Sequence, residues 1–112
     1  MISLDFRSAA WPPAPLDAAG YFYSELASRV RAAFADGAEE AVAVIYPPAG
    51  HAHRAWRLAA IQELAREAAP KRVNAIAGSD DDAIRQTLAW LEKAPGVTGQ
   101  LLAVDAIAGE AR

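Results

Sequence analysis

Ala41-Val42-Ala43-Val44-Ile45-Tyr46 is an unbroken apolar run closed by Pro47-Pro48. A strand with one wet face alternates apolar and polar residues, so a run apolar at every position predicts a strand buried on both faces. That is the pattern of a parallel sheet covered by helices. The chain around it has 112 residues, enough for one domain, and 1–112 is read as a single unit. Its core is thinner than the 54% hydrophobic content suggests, because 29 of those residues are alanine, which buries little area.

The flanking segments supply the other layers. Ile2 to Phe6 alternates as a short strand, and Trp11-Pro12-Pro13-Ala14-Pro15 makes a stiff connector. Asp17 is the expected N-cap of a first helix, with Leu16 as its hydrophobic staple. Phe22, Leu26, Val30 and Phe34 form its apolar stripe, and Gly37 its C-terminal cap. A second helix is expected over about Ala52 to Ala69, burying Leu58, Ile61 and Leu64, with Pro70 beyond its end. Arg72 to Ile76 reads as a strand. Ser79 is the expected cap of a third helix whose first turn, Asp80-Asp81-Asp82, complements the helix dipole. Ile84, Leu88 and Leu91 form its buried stripe, Trp90 is expected in that stripe or at its border, and Gln100 to Val104 reads as a last buried strand. The sum is an α/β chain, β-α-β-α-β-α-β, with about four parallel strands and three crossover helices, a half-Rossmann arrangement.

Several chemistries are excluded. The chain has no cysteine, so thiolate catalysis, disulfides and Cys-based zinc sites are ruled out. Net charge is −3, and the 11 basic residues are interleaved with acids. No basic stripe forms, and no nucleic-acid partner is expected. No apolar run approaches the roughly 20 residues that span a bilayer, and the start lacks a leader pattern, so no membrane partner and a cytoplasmic location are expected. His51 and His53 lie two apart with no neighbouring carboxylate, so they read as exposed or capping residues, not metal ligands. The three aspartates likewise read as dipole complements; no metal is expected. Tyr46, at a strand's C-terminal end, reads as structural. Trp56 is left open between interface anchor and core.

Specific words then emerge. Arg72-Val73-Asn74-Ala75-Ile76-Ala77 and Thr98-Gly99-Gln100-Leu101-Leu102-Ala103-Val104-Asp105 resemble the closing strands of the short-chain dehydrogenase/reductase family, "RVNAIAPG" and "TGQxLxVDGG". Glu63-Leu64-Ala65-Arg66-Glu67-Ala68-Ala69-Pro70 is similar to the "LAxELAP" ending of the family's fifth helix, and Asp82 to Leu91 to its "PEEIAxxxxFL" segment. Upstream, Asp17 to Phe22 is similar to "NLTGVF", and Val44 to Gly50 stands where the family has "VNISSxAG".

The resemblance implies a C-terminal half running from the family's fourth strand to its seventh, without the strands that carry the NAD(P)-binding glycine turn. Carried over position by position, the family's catalytic Ser falls at Pro47, its Tyr at Gly50 and its Lys at Arg54, while its Asn corresponds to Asp17. Neither Gly50 nor Arg54 can reproduce a Tyr general acid tuned by Lys. No catalytic residue and no cofactor is therefore expected. The resemblance further implies association through the first two helices, with Tyr21, Phe22, Arg29, Trp56, Ala60, Glu63 and Glu67 as candidate interface residues. The expected role is a non-catalytic pseudoenzyme subunit, either a homodimer or a heteromer with an active reductase. Two alternatives stand beside it. One is a chain lending residues such as Arg54, His51 or His53 to a partner's active site. The other is a small stand-alone ligand-binding domain using the strand ends near Tyr46, Gly50 and Gly78.

Overall fold

The computed structural model describes residues 1–105. Four parallel strands form one sheet in the order β1-β2-β3-β4: Ile2–Asp5, Ala41–Tyr46, Arg72–Ala77 and Leu101–Ala103. Sequential order in a parallel sheet requires a crossover between each neighbouring pair, and helices fill all three. Pro15–Tyr21 (α1) continues through a π-helical turn, Phe22–Leu26, into Ala27–Ala33 (α2). Arg54–Ala68 (α3) follows the 3₁₀ turn His51–His53, and Asp81–Glu92 (α4) links β3 to β4. The half-Rossmann α/β arrangement read from the pattern is the fold.

The run Ala41–Tyr46 is buried at all six positions, as its composition dictates. Strand alternation sends Val42, Val44 and Tyr46 to one face, where Phe22, Leu26, Val30, Ile61 and Leu64 pack from α1–α2 and α3. Ala43 and Ile45 go to the other face and meet Ile84 and Leu91 of α4. The second face is thinner. Ser3 and Asp5 of β1 lie exposed on it, beside Ala43 and Ile45 in register.

Local differences from the sequence reading have local causes. The first helix starts at Pro15, whose missing N–H suits a first helical position, so Asp17 sits inside the first turn and Ala14 is the N-cap. Leu16 is 83% exposed and staples nothing. α2 ends at Ala33, and Gly37 serves the following turn instead, at φ +76° with its N–H on Phe34 O. Asp80, not Ser79, caps α4, its carboxylate accepting from the N–H groups of Asp82 and Ala83. Trp90 is 54% exposed, outside the Ile84/Leu91 stripe. β4 is short and only half-buried because it is an edge strand, with α4 covering one face incompletely.

A buried polar clamp holds β4 to the sheet. Asn74 Nδ2 donates to Val97 O at 3.0 Å, and Asn74 Oδ1 accepts from Gln100 N at 3.0 Å. Arg72 Nη1 reaches Leu91 O, Ala94 O and Val97 O, satisfying carbonyls left over at the end of α4. Gly99, at φ +72°, turns the chain into β4.

Candidate functional site

In an open parallel sheet, ligands meet the C-terminal ends of the strands, where loops and helix N-termini converge. A cavity of about 320 Å³ lies there. Ala77, Leu101 and Ala103 supply apolar wall from β3 and β4, and Pro48, Ala49 and Gly50 supply the loop after β2. Arg54 and Arg57 of α3, the turn histidines His51 and His53, and Asp105 supply the polar groups.

Arg57 is the best-defined of these. α3 places it one and two turns before Ile61 and Leu64, on the buried side, and it is only 5% exposed. Its guanidinium lies 4.5 Å from the centroid of the Tyr46 ring, and Nη1 donates to Pro47 O at 2.8 Å. Nε is buried with no partner among the described residues. Burial pulls the Arg57 pKa down, opposed by the Tyr46 charge, while burial pushes the Tyr46 phenol far above its ordinary range. A guanidinium nonetheless stays protonated at neutral pH. Tyr46 is wholly buried with an unpartnered hydroxyl, which fits the structural role expected of it. It belongs to an aromatic cluster with Trp11, Phe22 and Trp56, ring centroids 5.7 to 6.4 Å apart. Trp56 is thus core-packed on one side, and its indole N–H donates to His53 Nδ1 at 3.1 Å, which leaves Nε2 as that imidazole's donor.

Asp105 closes the opposite side. Its carboxylate accepts from Ser79 Oγ at 2.7 Å, from the Ser79 N–H, and from the Asp80 N–H at 2.9 Å. These hydrogen bonds, led by that of the Ser79 side chain, hold its pKa below the usual carboxylate range. A Cβ on Gly78 would come within 2.7 Å of Asp105 Oδ1 and Val104 Cγ2, so the close approach needs glycine there. Neither the Asp105 tie nor the burial of Arg57 was singled out from sequence. The spacing Arg57, Ile61, Leu64 carried the signal for the second; contacts across 25 residues or more gave none for the first.

Two of the four positions matched to the family's catalytic groups, Gly50 and Arg54, meet at this cavity, whereas Pro47 and Asp17 are not among its lining residues. Pro47 ends the β2 strand run, Gly50 precedes the 3₁₀ turn, and Arg54 opens α3. The candidate interface residues do not form one surface. Phe22 and Ala60 are wholly buried inside the chain, so neither can touch a partner. Tyr21 and Trp56 are half-buried; Arg29, Glu63 and Glu67 are exposed. Arg29 lies over the Phe6 ring, Tyr23 Oη approaches Glu63 Oε1 at 3.4 Å, and Arg31 Nε donates to Glu67 Oε1 at 2.6 Å. Burial, reinforced by the Glu63 charge and hydrogen bond, raises the Tyr23 pKa. His51 and His53 gather no third ligand, and no group of three potential metal ligands occurs among the described residues.

Residues 6–104 match the family described as short chain dehydrogenase-like protein, SDR-like. The chain belongs to this family. No curated protein and no solved structure matches it. No helix among the described residues is long and apolar enough to cross a membrane.

The wider fold family implies a nicotinamide dinucleotide, and the strand-to-helix turns test the fit. Pyrophosphate binding needs successive free backbone N–H groups at a helix N-terminus. Pro12, Pro13 and Pro15 interrupt the turn before α1, and Pro47-Pro48 removes two N–H groups from the turn before α3. Before α4, the Ser79 and Asp80 N–H groups are taken by Asp105, and Asp80, Asp81 and Asp82 would repel phosphate. The described residues do not fit a dinucleotide.

Proposed function

We propose that this SDR-like chain is a non-catalytic subunit that acts by association, forming a homodimer or joining an active reductase. The observation that carries the reading is the composition of the cavity at the strand ends. A carbonyl reductase protonates the developing alkoxide from a positioned acid. Here Gly50 and Arg54 stand at the matched Tyr and Lys positions, and Arg57 is held against Tyr46 and Pro47. A guanidinium holds its proton too tightly to serve as that acid at neutral pH. Tyr46, the nearest phenol, is wholly buried beneath Arg57.

Two features support association. Among the described residues β1 and β4 are the edges of the sheet, and such edges are ordinarily covered or paired. Leu16 and Trp90 are large apolar side chains left in solvent, at 83% and 54% exposure. The helical surface carrying Tyr23, Arg31, Glu63 and Glu67 supplies paired charges for a rim. The catalytic half of the reading is tested by incubating the pure chain with NADH or NADPH and a panel of aldehydes and ketones. No cofactor oxidation is expected. Turnover abolished by Arg54→Ala would overturn the reading.

A further inference from the structure

The same cavity has a chemistry of its own, independent of association. Its charged lining groups are Arg54, Arg57 and Asp105, so two guanidinium groups face one carboxylate. That carboxylate is already engaged by the Ser79 hydroxyl and the Ser79 and Asp80 N–H groups. Arg57, nineteen-twentieths buried, uses Nη1 on Pro47 O, while its Nε has no partner among the described residues. A guanidinium offers five N–H donors, and leaving them unpaired at a desolvated wall is costly. His53 Nε2 adds a further donor, since Nδ1 accepts from Trp56. Opposite lies apolar wall from Ala77, Leu101 and Ala103. The Pro47-Pro48 turn that fails a pyrophosphate leaves recognition to side chains, which suits a single compact anionic head.

We infer that the cavity between Arg54, Arg57 and His53 binds a small organic anion, a carboxylate or phosphate head on a compact apolar body. The head pairs with the cavity-facing N–H groups of the two guanidiniums, and the body lies on Leu101 and Ala103. At about 320 Å³ the space is at the lower end of small-molecule sites, which limits the body to roughly one ring or a short acyl chain.

The test follows backbone amide resonances of the full chain during titration with benzoate, phenyl phosphate and, as a neutral isostere, benzyl alcohol. Saturable shifts at Gly50, His51 and Gly78 are expected with either anion. Benzyl alcohol should bind at least about tenfold more weakly, the loss expected for one charge-assisted hydrogen bond. Arg54 is exposed, so Arg54→Ala should fold normally and weaken the better anion about tenfold. Absence of saturable shifts with both anions overturns the inference. So does equal binding of benzyl alcohol, or undiminished binding by a folded Arg54→Ala. None of these results bears on whether the chain associates.

Discussion

The Arg57 guanidinium sits over Tyr46, 4.5 Å from its ring centroid, and covers a phenol that has no hydrogen-bond partner among the described residues. A buried hydroxyl without a partner is a desolvation cost with no return. Tyr46→Phe should therefore keep the cation–π contact and raise unfolding free energy by about 1 kcal/mol. Denaturant titration checks this; a loss of stability would mean that the hydroxyl is bonded.

Asn74 joins the β3 strand to the segment before β4 through two hydrogen bonds, to Val97 O and from Gln100 N. Asn74→Ala removes both and leaves the Gln100 N–H without its acceptor. The expected cost is about 2 kcal/mol, read as a lower denaturation midpoint. Amide exchange should quicken first at Leu101 and Leu102, because the clamp holds that edge.

Asp105 has its pKa lowered by Ser79 and Asp80, so its contribution to stability is present above the unfolded carboxylate value of about 3.9 and is lost as pH falls through the lower folded value. Asp105→Asn should unfold at a lower temperature than the parent at neutral pH. That gap should close only in strong acid, below the ordinary carboxylate range. A gap independent of pH would assign the tie to neutral hydrogen bonding alone.

Glu67 of α3 pairs with Arg31 of α2, a neighbouring helix on the same face of the sheet, both groups about half exposed. Exposed pairs of this kind add little to folding. Glu67→Arg should leave thermal unfolding of the isolated chain nearly unchanged while weakening association, since it places like charges side by side on the proposed surface. Light scattering at matched concentrations reads the second effect.

The sheet was legible because burial on two faces leaves no polar residue between Ala41 and Tyr46, and period-2 alternation then assigns Val42 and Ala43 to opposite layers. The family words Arg72 to Ala77 and Thr98 to Asp105 were legible as words, but their physics was not. Asn74 and Arg72 act on residues more than fifteen positions away, which no local pattern encodes. The choice of Asp80 over Ser79 as cap turned on Asp105, which occupies the Ser79 hydroxyl from another strand's end. Trp90 misled for the opposite reason. It adjoins Leu91 in sequence, and one residue of helical rotation, about 100°, carries it out of the buried stripe.

The central claim is that the chain works by association. Sedimentation velocity of the pure chain over a wide concentration range, alone and mixed with intact short-chain reductases from the same genome, measures it directly. The account predicts a species of at least twice 11.9 kDa, alone or in one of the mixtures, that Glu67→Arg diminishes. A single 11.9 kDa species under every condition would contradict it.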